Sequence, residues 1–541
     1  MNRILNIINR ICNLALWIVK IAGALLTCLF AVSAFFLTCY AQNMETQQVL
    51  TKWNNILLTI AGSAVLVIAV FPVWKIVSRN PFQRNRILLC LVLGWYFLGG
   101  IVLVLFSKTA PAADSFSVYS AAEQLAAGNT DVIHATDSYL SYYPQQMGLV
   151  AYYEVLIRLW NLLPVSLPAY HILKCINIGW ACLIILFQAK TVRLLFHEER
   201  AVTAYLMLAL YNLPMLMYTS FVYGEIPSFA LFSIGLWALL KLLLSPEAAA
   251  QTKHCILTGC SRLALLSILC FAGSMALRKN TLILMIAVIL ITVLEALRRR
   301  QVKLVLLTVC YLLAATAVLP AITSYYEHRS GNELLSGVPA MSYFAMGMQE
   351  SSRAEGWYNG FNFNTYQETG MDTEATNEIS RQAIRERLTY FRQNPGYTVK
   401  FYWKKFLSQW CDGTYASRQA TLATFGGRRE FFVQLYEGEY SSYYIAFCNL
   451  FQNLLYLGSA AFVISALVSG RDKKRSQPYF SQLPVYLCLI GVIGGFLFHM
   501  IWEANARYIL PYSLLLMPYA AWGISRALQQ TAAFLQRIRK T

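Results

Sequence analysis

Long apolar runs constrain this chain more than any other feature. Residues 14–37, 56–73, 87–106 and 444–468 carry at most one charge each. Runs of roughly 18 or more apolar residues can cross a hydrocarbon core about 30 Å thick, and no water-soluble fold can hide so many of them. Charged residues make up 13% of the 541, against about 25% in an ordinary soluble domain. The first run exceeds the roughly 7–15 apolar residues of a signal peptide, so it is expected to remain as an anchor. The expected fold class is therefore an all-α polytopic membrane protein.

The formal charge is +18, from 44 basic and 26 acidic residues. In a soluble protein that excess would suggest nucleic acid. Here the basic residues form short clusters between apolar runs, among them Arg79, Arg84 and Arg86, then Lys190, Arg193 and Arg200, and Arg298–Arg300. That is the pattern of cytoplasmic loops facing anionic lipid, with a bilayer and no nucleic acid as partner. Placing the clusters on one side of a cell membrane leaves both termini cytoplasmic and gives about twelve crossings. They fall near 14–38, 55–77, 87–107, 168–189, 201–220, 226–245, 263–277, 281–297, 304–323, 443–467, 483–501 and 508–527. Four parts follow: two amino-terminal helices (1–86), a core module (87–323) with a first outer loop at 108–146, an extracytoplasmic cap (324–442), and carboxyl-terminal helices (443–541). The apolar segment 147–163 would invert every later loop if it crossed. It is expected to lie in the outer interface or to re-enter the membrane, with Arg158 snorkelling. Helical patterning in the cap runs from about Glu374 to Gln409. The thirteen cysteines show no CxxC pair and no zinc-ligand spacing.

Acids on the outer side are scarce, which makes them informative. Asp114, just past the third span, could cap a helix through Leu125 or act chemically. Glu225, in "SFVYGEIPS", sits in a short turn between two apolar runs, where a carboxylate is costly and needs a polar cavity or a partner. Arg278 and Lys279, in "LRKN", and Arg507, in "WEANARYILPY", break the charge rule by falling on the outer side. A phosphate is the natural partner for such cations; pairing of Arg507 with Glu503 one turn away is the structural alternative. Asp131, His134 and Asp137, and His499 with Glu503, have spacings that could hold a metal, although a solvated loop is the plainer reading of the first set. Tyr143, one of several tyrosines near Pro144, belongs to an interfacial belt or stacks on a sugar. Two outer carboxylates, outer cations and a large cap suit group transfer at a membrane surface, with a carboxylate taking a hydroxyl proton while cations neutralise a departing phosphate.

With Asp114, "YLSYYPQQMG", "YGEIPS", "LRKN" and "WEANARYILPY" in this order, the chain resembles the GT-C superfamily of integral membrane glycosyltransferases. Its look-alikes there are bacterial relatives of protein O-mannosyltransferases and of the lipid A aminoarabinose transferase. The resemblance implies a polyprenyl-phosphate-linked sugar donor, an outward-facing site and inversion at the anomeric carbon; the acceptor expected here is a cell-envelope glycan or polymer. Asp114 would match the first-loop acid, as base or metal-orienting group, and Glu225 the second-loop acid. Arg278, Lys279 and Arg507 would hold the donor phosphate, and Tyr143 and Glu503 would contact substrate. The adjacent acidic pair of the family is absent, since "AADSF" carries one acid, which leaves a divalent metal ion as an open question. The rival readings are a transporter or flippase of lipid-linked sugars and a non-catalytic scaffold for envelope assembly. Cysteines introduced into 324–442 are expected to react with an impermeant thiol reagent on intact cells; labelling only after permeabilisation would invert the topology.

Overall fold

The computed structural model describes residues 2–42, 46–134, 136, 138–244, 259–469 and 477–538. In lipid every backbone N–H and C=O must be satisfied within the chain, so the apolar runs become helices. The first part is α1 (Asn2–Phe36), a hairpin of β1 (Leu37–Ala41) and β2 (Val49–Trp53), α2 (Ile56–Val77) and α3 (Pro81–Phe106). Next come α4 (Asp114–Ala126), α5 (Met147–Asn161), α6 (Ala169–Phe196), α7 (Glu199–Tyr211) with its continuation Leu213–Tyr218, and α8 (Glu225–Leu244). They are followed by α9 (Gly259–Leu277), α10 (Leu282–Arg299), α11 (Val302–Thr316) and α12 (Val318–Ser330). The cap contributes α13 (Thr373–Gln393) and α14 (Pro395–Trp410), and the chain closes with α15 (Tyr440–Ser469), α16 (Leu487–Ile501) and α17 (Leu510–Ile538).

Among the described residues eight helices are long and apolar enough to cross a membrane, or nine if the bent pair α11–α12 is one span. The expected count of about twelve is not reached by that measure. The apolar stretch of α9 is short, and α17 turns polar beyond Ser525 with Arg526, Gln529, Gln530 and Arg537. The expected span at 201–220 breaks at Asn212. Pro214 has no N–H to give, and Asn212 caps the new helix by accepting from the Met215 N–H at 3.1 Å. The buried Tyr96 hydroxyl donates to the Ala209 and Asn212 carbonyls at 3.0 and 2.9 Å, so the break leaves these polar groups satisfied.

The all-α fold carries one short hairpin, in which "LTCYA" and "VLTKW" pair antiparallel, Leu37 opposite Trp53 and Ala41 opposite Val49. Arg158 keeps its side chain 46% exposed but is also tied to the protein. Its guanidinium pairs with buried Glu154 at 2.8 Å and donates to the Leu125 carbonyl at 2.6 Å. Glu154 also pairs with Arg329 at 2.7 Å, tying α5 to α12.

Contacts sort the helix ends into two groups. Asn85 and Arg193 both reach Glu199, Arg299 reaches the Leu243 carbonyl, and Arg526 pairs with Glu198. This end carries the basic clusters Arg79–Arg86, Arg193–Arg200 and Arg298–Arg300. At the other end the hairpin, the start of α4, the 222–225 turn, Arg278, the cap and the 502–508 loop meet. The helical patterning in the cap takes the form of α13 and α14. Phe30 of α1 stacks on Trp410 of α14, ring centroids 4.5 Å apart and 15° between planes.

Helix α15 crosses α17 backbone to backbone. A Cβ on Gly523 would collide with the Gly458 carbonyl, and one on Gly458 would come 2.7 Å from the Ala520 carbonyl. Small residues permit such approach where lipid supplies no hydrophobic drive between helices. Gly523→Ala is expected to destabilise the protein by about 1–3 kcal/mol through overpacking. Gly94→Ala in α3, where nothing lies within 4 Å of the added carbon, is expected to be neutral or slightly stabilising. Thermal unfolding in detergent checks the pair; equal behaviour would show that the crossing is not backbone-limited.

Candidate active site

The 222–225 turn ends where α8 begins, so Glu225 opens a helix, and the positive end of the helix dipole favours a carboxylate there. The turn is tight because Gly224 lies against a later stretch of chain: a Cβ at that position would stand 2.7 Å from the Leu277 carbonyl and 3.2 Å from Arg278 Cδ. This approach puts the Arg278 guanidinium 3.0 Å from Glu225 Oε1. From the far end of the sequence, Arg507 brings its Nε to 3.5 Å of the same oxygen. Arg507 thus pairs with Glu225 rather than taking Glu503 as its ion-pair partner. The Glu225 side chain is 2% exposed, and neither of its oxygens makes a well-directed hydrogen bond to a donor among the described residues. Its charge is balanced while its directional bonding capacity is left over.

Aromatic rings wall the cluster. Arg278 lies over Tyr223 at 5.0 Å, and Arg507 over Tyr223 at 5.5 Å and Tyr508 at 5.6 Å. Burial works against the Arg507 charge, but Glu225, with Tyr508, Tyr223 and Asp114 beyond it, holds the guanidinium protonated well above its ordinary value. Below the cluster a narrow cavity of about 40 Å³ runs between α8, α10 and α17, lined among others by Ser228, Phe232, Leu284 and Tyr512. That is room for small polar molecules.

Asp114 lies within electrostatic reach of the same cluster. It is the first residue of α4 rather than the cap. Ala113 holds the cap position at φ +46°, ψ −130°, a sparsely populated conformation for an alanine that costs of order 1–3 kcal/mol. Ser115 steadies the turn by accepting from the Ala112 N–H at 3.0 Å. The partly buried Asp114 carboxylate acts electrostatically on Tyr143, Tyr223, Glu503, Arg507 and Tyr508. Tyr143 therefore belongs to the chamber, its phenol raised first by burial and then by Asp114, Tyr358 and Glu503.

Glu503 is buried beside Tyr508, whose hydroxyl donates to it at 3.5 Å. Burial pushes its carboxyl up to about 7, opposed by Arg507 and reinforced by Asp114. Its loop is sewn to the cap. The Ala504 N–H donates to the Gly356 carbonyl at 2.7 Å, and buried Lys405 donates to the carbonyls of Gly347 and Trp502 at 2.5 and 2.7 Å. Burial also lowers Lys405, to about 7.

The structure thus gathers Glu225, Arg278 and Arg507 at one cavity and brings Asp114, Tyr143 and Glu503 within electrostatic reach of one another and of Arg507. Lys279 stands apart, exposed and outside the ion cluster. Asp137 lies outside the described residues, and Asp131 is exposed. His499 turns its Nε2 toward the Tyr512 hydroxyl, 3.4 Å away. Among the described residues no group of three or more His, Cys, Asp or Glu side chains could hold a metal. With Glu225 already between two guanidiniums, the donor set suits an anion better than a divalent cation. Tyr223, Tyr508, Tyr358, Arg353 and Lys405 were not singled out from sequence. The first two adjoin Gly224 and Arg507, a signal that could have found them, whereas the cap residues carry no local mark.

The family described as "conserved hypothetical integral membrane protein" matches residues 4–527, and the chain belongs to it. No curated protein matches. A solved structure, the oligosaccharyltransferase of Archaeoglobus fulgidus tethered to an acceptor peptide, is similar at 13% identity and a TM-score of 0.44, covering 82% of this chain and 50% of that one. The chain therefore spans half the length of that protein, and a likeness this loose fixes neither fold nor activity.

Because the folded-state value of Glu503 lies above that of an ordinary carboxyl, the folded protein holds an extra proton between about pH 4.5 and 7, and stability falls as pH rises through that window. Glu503→Gln, a neutral isostere, is expected to match wild type at about pH 5 and to exceed it above about pH 7. Unfolding temperatures across pH test this; a pH-independent difference would mean that the folded state keeps Glu503 charged throughout.

Proposed function

We propose that this member of an integral membrane family is a GT-C-type glycosyltransferase. It would move a sugar from a polyprenyl-phosphate carrier to an extracytoplasmic cell-envelope acceptor, with inversion. The observation that carries the reading is the joint placement of Arg278 and Arg507 about Glu225, with the Asp114 carboxylate within electrostatic reach of Arg507. Cations at a leaving group and a separate carboxylate are the two requirements of a displacement at an anomeric carbon with a phosphate leaving group.

The step balances on the chain's own groups. The acceptor hydroxyl gives its proton to Asp114 as its oxygen bonds to the anomeric carbon. The bond from that carbon to the phosphate oxygen breaks, and the phosphate leaves with the electron pair. Arg278 and Arg507 stabilise the charge that develops there, and the bidentate fork of a guanidinium suits a phosphate. Glu225 holds the two guanidiniums in place before the donor arrives, so their orientation is already set when the reaction begins. Tyr143, at the chamber wall, offers a face on which a sugar ring can stack.

Purified protein supplied with polyprenyl-phosphate sugars tests the proposal. Asp114→Asn is expected to lower transfer by about a hundredfold or more while the protein remains folded and monodisperse. Unchanged turnover in that variant would remove Asp114 from the mechanism.

A further inference from the structure

The amino-terminal hairpin touches the cap at three points that share one consequence. The Cys39 N–H donates to the Cys411 carbonyl at 2.9 Å. Arg418 of the cap donates to the Ala41 carbonyl at 3.2 Å. The third point is the Val49 N–H, which donates to the Arg353 carbonyl at 2.9 Å. Val49 also packs, with Ala354, against a small cluster of Trp357, Ala416, Ala504 and Ala506. Ala504 and Ala506 belong to the loop that bears Glu503 and Arg507, so one residue of β2 abuts both the cap loop and the site loop.

The cap loop is shaped to aim Arg353. Ser351 Oγ accepts from the Arg353 N–H at 3.2 Å, and the Arg353 guanidinium lies over the Tyr358 ring at 5.4 Å. Trp357, the neighbour of Tyr358, is locked by its indole N–H to Ser408 Oγ at 2.9 Å and by pairing with Ala504. Tyr358 feels the charges of Glu503, Arg353 and Asp114, beyond the larger effect of burial. Arg353 therefore stands within electrostatic reach of Glu503, on a loop that packs against the loop bearing Glu503 and Arg507.

We propose that Arg353 is a third cation for the phosphate of the substrate, and that the hairpin is a positioning element which sets it there through the Val49–Arg353 backbone bond. The residues before the core module thereby serve the site, since α1 anchors the hairpin and the hairpin holds the cap loop over the chamber. The inference rests on the reading of the chamber as an anion site.

Binding to full-length protein in detergent, with geranyl phosphate and inorganic phosphate as probes, separates the possibilities. Arg353→Ala is expected to weaken geranyl phosphate binding roughly tenfold, the usual worth of a charge-assisted hydrogen bond, and Arg353→Lys to recover part of it. Val49→Pro, which removes the N–H but leaves Arg353 in place, is expected to lose a comparable factor, and Val49→Ala, which keeps the N–H, to bind like wild type. The double variant Val49→Pro/Arg353→Ala is expected to bind no worse than Arg353→Ala alone. Should Val49→Pro fail to give monodisperse protein, Val49 replaced by its α-hydroxy acid, which turns the amide into an ester and so removes the N–H while keeping the side chain, takes its place with the same loss expected. The same ranking with inorganic phosphate supports recognition of the phosphate itself; a ranking seen with geranyl phosphate alone supports recognition of a phosphate on a lipid. If Arg507→Gln weakens binding and Arg353→Ala does not, this inference falls and the chamber reading stands. If neither weakens it, the anion chamber falls and takes this inference with it. Losses from Val49→Pro and Arg353→Ala that multiply in the double variant would show that the hairpin does not act through Arg353.

Discussion

A carboxylate held between two guanidiniums organises the end of this bundle where the loops gather. Removing charges from water costs several kcal/mol per ion even after relaxation, and mutual attraction offsets it only when geometry and hydrogen bonds are good. At Glu225 the charges are close, 3.0 and 3.5 Å, but the hydrogen bonds are poorly directed. A cluster selected for stability alone would be expected to close those bonds. One that must exchange partners with an incoming anion gains from leaving them open. The turn at Gly224, the start of α8, the end of α9 and the 502–508 loop all converge on this exchange point.

The rest of the chamber follows from how the surrounding chain is held. Asp114 is presented by a strained turn at Ala113, and strain of that kind persists only where the surroundings over-determine it. Glu503 is kept in place by the stitching of its loop to the cap, through the Ala504 N–H and the Lys405 ammonium. Burial raises its carboxyl to about 7, while Asp114 remains partly exposed. Two acids in one chamber are thereby given different environments, the condition under which two carboxyl groups take different roles. The hairpin braces the cap edge from outside, so the amino-terminal helices are integral to the geometry of the site.

The apolar runs alone dictate a helical membrane protein, because a polypeptide in hydrocarbon has no other way to satisfy its backbone. The scarcity of acids likewise singles out Asp114 and Glu225, and the charge pattern singles out Arg278 and Arg507, since each is costly where it stands. Local pattern misleads where the outcome depends on partners distant in the chain. Arg158 has the pattern of a snorkelling residue, yet Glu154 and the Leu125 carbonyl claim it. The 201–220 run has the length of a span, yet Pro214 and the Tyr96 hydroxyl make a break that the run does not announce. Lys279 matches its neighbour Arg278 in charge but is left exposed, because Arg278 is still extended, at φ −154° and ψ 110°, and the chain turns into a 3-10 helix at Lys279.

Composition and order by themselves therefore determined the solvent, the secondary structure class and which charges are too expensive to be incidental, all properties set by transfer energies of individual residues. Tertiary structure alone decided that Glu225 and Arg507, 282 positions apart, share an ion pair, that Glu503 is buried enough to hold a proton near neutrality, and that a β-hairpin from the first fifty-odd residues props Arg353 over the site. Those facts arise from which surfaces meet. No local pattern encodes that, because a charge or a backbone N–H acquires its partner only when the folded chain brings one within reach.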